Sequence, residues 1–421
     1  MPLFVRTFVF GITFLFVLTA CGGSGDSVSV DCPDGEKGED WVWTGRACSL
    51  RTKGFNSSVY SIAPALDSSD DLYAVGGFRA YKKRSVEYIA RLNNDGSLDR
   101  GFDSDVDSPD SLSPQIIESA KDGSGDVYVG GRFYIDSTIV GIARLNLNGS
   151  LDKNFYAGTE VERDVKTIAP ATDGSGDVYV GGLSFGSEGA TFENGPIRLN
   201  SDGSLDIDFN SGIRAGEDSI ALATDGSGDI YVSRHSAPHI ARLNNDGSID
   251  TEFDTGISGF NKKVTAITVA TDGSGDIYVA GDFSDYRGTT ANGLARLNSD
   301  GSFDTGFVVD TSVYLFQGGE FILPASDGTG DVYAHATNTN DEDVIRLNDD
   351  GSIDTGFVIG EGFDYNGSSP TFIGGNGHLS DAAITTDGSG DIYVAGKFTH
   401  YNSKSVVTHL VRLNTKGAVV R

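Results

Sequence analysis

Apolar and polar positions alternate along this chain in short bursts that return at a fixed distance. Within residues 165–209, Val165-Lys-Thr-Ile-Ala169 is a β-branched run bounded by a turn and reads as a strand. Asp173-Gly-Ser-Gly-Asp177 is that turn. Its glycines permit positive φ, and its Asp and Ser side chains suit hydrogen bonds to nearby backbone N–H groups. Val178-Tyr-Val180 makes a second strand, apolar on both faces and suited to a sheet covered on both sides. It ends in Gly181-Gly182, where a bulge or a close backbone approach is expected. A third strand ends in Ile197-Arg-Leu-Asn200. With Ser201-Asp202-Gly203 as a three-residue hairpin loop, Asn200 flanks Ser204, Leu199 faces Leu205 and Arg198 faces Asp206.

Both motifs recur seven times. The turn begins at Asp67, Asp122, Asp173, Asp225, Asp272, Asp327 and Asp387, and the Arg-Leu-Asn motif at Arg91, Arg144, Arg198, Arg242, Arg296, Arg346 and Arg412. The period averages about 53 residues, in the range of solenoids, propellers and arrays. The same register opposes Arg91 with Asp99, Arg144 with Asp152, Arg242 with Asp250, Arg296 with Asp304 and Arg346 with Asp354. Each such cross-strand pair contributes roughly 0.2–1 kcal/mol. Phe102, Phe155, Phe209, Phe253, Phe307 and Phe357 follow the acids and are expected to plug the space between neighbouring units. Four short strands per unit, with no helical periodicity, predict an all-β fold: a seven-bladed β-propeller of four-stranded blades over residues 49–421. The two motifs resemble the delta-60 repeat of bacterial surface and secreted proteins across residues 56–421. That resemblance implies a β-propeller and brings no activity or functional residues with it.

The last copy departs from the others. Val420 stands where the paired Asp belongs, and no plug phenylalanine follows. Ser49-Leu50 and Gly54-Phe55-Asn56 echo Ser97-Leu98 and Gly101-Phe102-Asp103. Residues 49–56 are therefore expected to complete the seventh blade and close the ring, the competing arrangement being completion by residues 418–421 alone.

Residues 1–20 carry one early Arg6, an apolar run and a small-residue finish, the layout of a secretory signal. Leu18-Thr19-Ala20-Cys21 resembles the lipobox of bacterial lipoproteins. The resemblance implies lipidation of Cys21, a membrane anchor and, with Gly22 next, outer-membrane or cell-surface sorting. Residues 21–48 then form a tether and a cap in which Cys32 and Cys48 are expected to pair, closing a loop worth about 3 kcal/mol. Trp41-Val42-Trp43 inside that loop reads as a short strand.

Composition narrows the partners. Asp plus Glu total 60 against 31 Lys plus Arg, a net charge of −29, which repels phosphate backbones and argues against nucleic acid. Asp122-Gly-Ser-Gly-Asp126 spaces oxygens as calcium loops do, but Val127 and Phe133 stand where the bend glycine and the bidentate glutamate belong. Asn93-x-Asp95-Gly96-x-x-Asp99 resembles part of the calcium loop of integrin-type propellers, with Arg91 in place of the first aspartate. A structural ion pair is the better reading, no metal or cofactor is expected, and only weak calcium binding fits so acidic a chain. Two units break the repeat: Ser233-Arg234-His235 replaces the usual Gly-Gly, and His335 falls at the position of Gly130. Arg234, His235 and His335 are thus the candidate ligand-binding residues. The expectation is a monomeric, non-catalytic envelope module that binds a protein or glycan. The alternatives are a glycan hydrolase or lyase with a site in a central channel, and a calcium-dependent adhesion module.

Overall fold

The computed structural model describes residues 41–43, 48–50, 54–106, 112–155, 161, 165–182, 195–213, 215–234, 236–253, 259–309, 314–315, 321–337, 342–358, 360, 362–364, 378–402, 404–406 and 408–420. The chain divides into two bodies, Met1–Arg51 and Thr52–Arg421. In the first, Trp41–Trp43 pairs antiparallel with Cys48–Leu50 in the register Trp41↔Leu50 and Trp43↔Cys48. The expected Trp-Val-Trp strand is present. Cys21 and Cys32 lie outside the described residues, and so does any bond from Cys32 to Cys48.

In the second body every element is a strand, and no α-helix occurs among the described residues. Each of the seven repeats contributes one antiparallel sheet in which a middle strand is flanked by an earlier and a later one. In repeat 1 these are Val59–Pro64, Leu72–Gly76 and Ile89–Leu92. In repeat 2 they are Ser113–Ser119, Val127–Ile135 and Thr138–Leu145, and in repeat 7 His378–Ile384, Ile392–Lys397 and Leu410–Leu413. Middle strands are buried at Val127, Tyr128 and Val129 and at the matching residues elsewhere except the half-buried Tyr393 of repeat 7, as their unbroken apolar character predicts.

The hairpin register follows the expectation. Asn200 N donates to Ser204 O at 2.8 Å, Gly203 takes φ 81°, and Leu199 bridges Leu205. Among the described residues the strand expected after each hairpin does not extend, and only the sheet of repeat 6 has four strands, the fourth being Tyr314–Leu315 against Val332–Thr337. Beyond the hairpin loop, most repeats make a single bridge of the Leu199↔Leu205 kind. The physical reason lies in the acid that follows. Asp99 Oδ1 accepts the N–H of Gly101 at 2.7 Å and folds the chain into a new turn before pairing can extend. The bulge expected near the strand-end glycines is present, with the first strand shifting register between Val59 and Ser61, Pro114 and Ile116, and Val165 and Thr167. Gly281 shows the close approach, since a Cβ there would lie 2.1 Å from the carbonyl oxygen of Lys263.

The core lies between sheets. Seven apolar clusters among the described residues each join one repeat to the next. The phenylalanine plugs belong to them: Phe102, for example, packs edge-on against Tyr73 at 5.5 Å, in the cluster shared with Ile117 and Val129 of repeat 2. Burying such a ring contributes roughly 1.5–3 kcal/mol. One cluster joins repeat 7 to repeat 1 through Val59, Ile62, Ala383, Ala395 and Leu410. Asp381 Oδ2 also accepts the N–H of Ile62 at 2.8 Å, and Thr386 Oγ1 donates to Asp70 at 2.9 Å.

Of residues 49–56, expected to complete the seventh blade, 51–53 lie outside the described residues, and 54–56 join repeat 1 rather than the last hairpin. Cys48–Leu50 is taken by Trp41–Trp43, and Leu413 bridges Val419 within its own repeat. Phe55 bridges Tyr81 and packs its ring at a tilt against Phe78, as Phe260 does with Tyr286 and Phe283 and as Phe363 does with Tyr401 and Phe398. Phe55 is thus the entry aromatic of repeat 1 rather than a displaced plug. It still touches repeat 7, because Thr408 Oγ1 donates to its carbonyl at 2.7 Å.

Candidate functional site

The recurring polar residues meet at one place in every repeat. The Arg of the third strand stands opposite the Tyr of the middle strand, Tyr73↔Arg91 in repeat 1, so its side chain runs along the sheet toward the Asp-x-Ser-x-Asp turn. Arg91 Nη2 donates to Asp67 at 2.5 Å and Nε to Asp71 at 2.9 Å. The sequence-predicted partner Asp99 is farther, at 3.6 Å. Arg144, Arg242, Arg346 and Arg412 make the same two contacts with Asp122 and Asp126, Asp225 and Asp229, Asp327 and Asp331, and Asp387 and Asp391. Sequence reasoning missed these principal partners. The available signal was the invariant fifth position of the turn, one residue before the strand whose Tyr lies under the guanidinium.

Repeats 3 and 5 differ. Arg198 pairs with Asp206 at 2.5 Å and reaches Asn245 of the next repeat, and Arg296 pairs with Asp304 and reaches Asp349 of the next repeat. Here the predicted hairpin pair is the primary one.

The electrostatics follow the contacts. Burial pushes the Asp67 carboxyl up, but hydrogen bonds from Ser69 and Arg91 hold it below the usual range. Asp122, Asp225, Asp327 and Asp387 are lowered for the same reasons. The first-position acids of repeats 3 and 5, Asp173 and Asp272, are lowered too, whereas burial raises the fifth-position acids Asp126, Asp177 and Asp276, whether the arginine lies at 2.9 Å, as in repeat 2, or about 4 Å away, as in repeats 3 and 5. Burial also lifts the Tyr73 phenol to about 12, so it remains a neutral donor and acceptor beside Arg91.

Two first-strand carboxylates stand apart from this scheme. Asp381 accepts from the backbone N–H of Ile62 and of Ala382, each at 2.8 Å, and burial lifts it to about 6. Glu118, enclosed by protein yet keeping some accessible surface, is lifted to about 7 by burial, with Lys121 opposing and Asp381 reinforcing the shift. Neither position is a carboxylate in most repeats. The residues matching Glu118 opposite the middle-strand Tyr are Ala63, Ala169, Ala221, Thr268, Leu323 and Ala383.

Two of the three sequence-predicted ligand residues, Arg234 and His335, fall among the described residues. His335 is 1% exposed, with its ring lying flat on Phe321 at 5.4 Å, at the strand position that Gly130 holds in repeat 2. Arg234 ends the middle strand of repeat 4. Its Nε is buried without a hydrogen-bond partner among the described residues, and burial lowers its affinity for the proton. His235 lies outside the described residues. Among the described residues no three His, Cys, Asp or Glu side chains are placed to hold one metal ion, and no helix is long and apolar enough to cross a membrane.

Five segments, residues 69–102, 123–155, 223–253, 273–307 and 387–419, match the family described as domain of unknown function (DUF5122) beta-propeller. The chain is a β-propeller repeat protein. Solved structures agree on the fold. A GH74 xyloglucanase from Xanthomonas campestris is 11% identical with a TM-score of 0.51, over 89% of this chain and 56% of that one. Sqt1 from Chaetomium thermophilum is 11% identical with a TM-score of 0.50, over 87% and 85%. The virginiamycin B lyase of Staphylococcus aureus is 15% identical over 73% and 87%, and its TM-score of 0.45 is too low to bear on the fold. At these identities the likeness concerns the fold alone. The comparison with curated proteins found no match.

Proposed function

We propose that this chain is an exported envelope lipoprotein whose seven repeats are the blades of one closed propeller, which binds a protein or glycan without catalysing a reaction. The observation that carries the reading is the use made of the recurring polar residues. Each repeat arginine is held by two or more oxygens within its blade or from the next one, so the motifs serve geometry and leave no repeated reactive group. Closure is supported by the apolar cluster and the hydrogen bonds that join repeat 7 to repeat 1, equivalent to those between successive repeats. The lipobox-like Leu18-Thr19-Ala20-Cys21 supports anchoring through Cys21 and a place at the outer membrane or cell surface.

The test is capture of a partner from envelope extract by the soluble form beginning at Gly22, with labelled palmitate incorporated into the full chain and lost in Cys21→Ala. Failure to label overturns the lipoprotein reading. The second reading is the glycan hydrolase or lyase: burial lifts the Glu118 carboxyl to about 7, with the Asp381 charge adding to the shift, and lifts Asp381 to about 6, values suited to acid and base work. Turnover of an envelope glycan that is abolished in Glu118→Gln would replace the first reading with this one.

A further inference from the structure

Repeat 1 carries a small hairpin, Ala80–Tyr81 with Arg84–Ser85, that leans toward the Asn93–Ser97 loop of the same repeat. Between them lies a groove of about 420 Å³ lined by Tyr81, Lys82, Arg84, Asn93, Ser97 and Arg100, together with Leu98. That volume falls among small-molecule sites, roughly 300–1,000 Å³. The floor is fixed. Tyr81 Oη and Lys82 Nζ both donate to the carbonyl of Gly96, at 2.7 and 2.8 Å, and the ammonium stands 5.0 Å over the Tyr81 ring.

The charge of this groove is opposite to that of the molecule. In a chain of net charge −29, the Arg84 and Arg100 side chains are exposed and make no ion pair or hydrogen bond among the described residues. The nearby acids are engaged elsewhere: Asp95 by the N–H of Ser97 at 2.8 Å, and Asp99 by the N–H of Gly101 and by Arg91. Every repeat arginine finds a carboxylate, so two guanidinium groups left open over one groove are an exception.

Repeat 5 shows what the skeleton looks like without them. Its hairpin, Asp285–Tyr286 with Thr289–Thr290, has the same register, and Tyr286 Oη donates to Gly301 O at 2.6 Å as Tyr81 does to Gly96. Thr289 and Thr305 occupy the positions of Arg84 and Arg100. The fold therefore does not require the cations.

We propose that the repeat 1 groove binds a sugar-sized ligand through a carboxylate or phosphate group. Guanidinium forks match planar or tetrahedral oxyanions with paired N–H donors. Asn93, Ser97 and the Lys82 ammonium supply a polar wall for sugar hydroxyls. This deepens the binding-module reading and rests on it, but the two fail separately.

The experiment is calorimetric titration of the purified full chain with glucuronate, glucose 6-phosphate, inorganic phosphate and glucose. One charged sugar is expected to bind at one site per chain, with glucose and inorganic phosphate at least about tenfold weaker, and the two charged probes separate a carboxylate from a phosphate source. Arg84→Gln/Arg100→Gln should lose at least about tenfold in affinity with an unchanged thermal melt, and Arg84→Lys/Arg100→Lys should retain part of it. Thr289→Arg/Thr305→Arg reads the same chemistry without any loss of fold and should raise the stoichiometry from one to two. Binding of neither charged sugar, or an affinity untouched by Arg84→Gln/Arg100→Gln, overturns the groove site. Partner capture from envelope extract would then still uphold the binding module.

Discussion

In repeat 1, Arg91 bends back onto its own turn, to Asp67 and Asp71, whereas in repeat 5 the equivalent Arg296 leaves Asp276 at 3.9 Å and joins Asp304 to Asp349 of the following repeat. The backbone frame is the same in both. What differs is the neighbour. The residue facing the arginine from the next repeat is Leu147 beyond repeat 1 but Asp349 beyond repeat 5, and Asn245 beyond repeat 3, where Arg198 also swings. An amide or carboxylate oxygen that reaches across the gap, together with the hairpin acid, outcompetes the turn, whereas the shorter hydroxyl side chains at the same position, Ser201, Ser299 and Thr415, leave Arg144, Arg242 and Arg346 on it. One sequence motif therefore has two electrostatic outcomes, chosen by a position outside the motif.

Arg91→Ala should give the largest effect. Arg91 is 5% exposed, and its loss strands Asp67 and Asp71 beside the Tyr73 ring. Removing one partner of such a buried pair costs about 3–5 kcal/mol. Urea unfolding should show a clearly lowered midpoint, and a loss below about 1 kcal/mol would mean that the turn acids are already solvated in the native state.

Next comes pH. Glu118 and Asp381 have folded pKa values of about 7 and about 6, above their unfolded 4.5 and 3.8. Between those limits the native state holds more protons, so their contribution to stability falls as pH rises from about 4 to 7. The turn acids act in the opposite sense. Asp67 and its equivalents are depressed, so their contribution is present above the unfolded value and is lost as pH falls through the folded one. Glu118→Gln should therefore raise stability at pH 8 by up to roughly 3 kcal/mol and change little at pH 4. A variant that melts identically to the parent at both pH values would show that Glu118 is hydrated.

Asp349→Ala should be milder. The Asp349 side chain is 59% exposed, and Arg296 keeps Asp304 and has Asp276 within reach, so a cost of about 0–1 kcal/mol is expected. A cost equal to that of Arg91→Ala would make the inter-repeat contact, not the turn, the main anchor.

Much of this was readable in the sequence, and unevenly. Seven copies of two turn motifs carry strand order, hairpin register and the plug phenylalanines, because tight turns and period-two patterns are local. The Arg198–Asp206 pair followed from register alone. The Arg91–Asp67 contact did not, since it depends on where a side chain runs across the sheet. Phe55 was misassigned because Gly-Phe-Asn matches the plug motif locally, while its role is set by Tyr81 and Phe78. His335 stood out as a break in the repeat, and the core position it fills beside Phe321 is a tertiary fact.

The smallest expected effect tests the ring itself. Arg412 keeps the repeat 1 arrangement although the residue at the position of Asn245 in the following blade of a closed ring is Asn94, an acceptor of the kind that draws Arg198 away. The difference is Val420, which stands where repeats 3 and 5 have the hairpin acid and leaves a swung Arg412 without its second anchor. Val420→Asp should restore that anchor and couple Arg412 to Asn94. Combined with Asn94→Ala in a double-mutant cycle, it should give a coupling of roughly 0.3–0.5 kcal/mol that is missing when Asn94→Ala is made alone. The two positions are 326 residues apart in sequence and meet only if repeat 7 abuts repeat 1 as repeat 3 abuts repeat 4. Zero coupling, with both single variants folded, would leave the swing of Arg198 and Arg296 explained but place Asn94 out of reach of the last repeat.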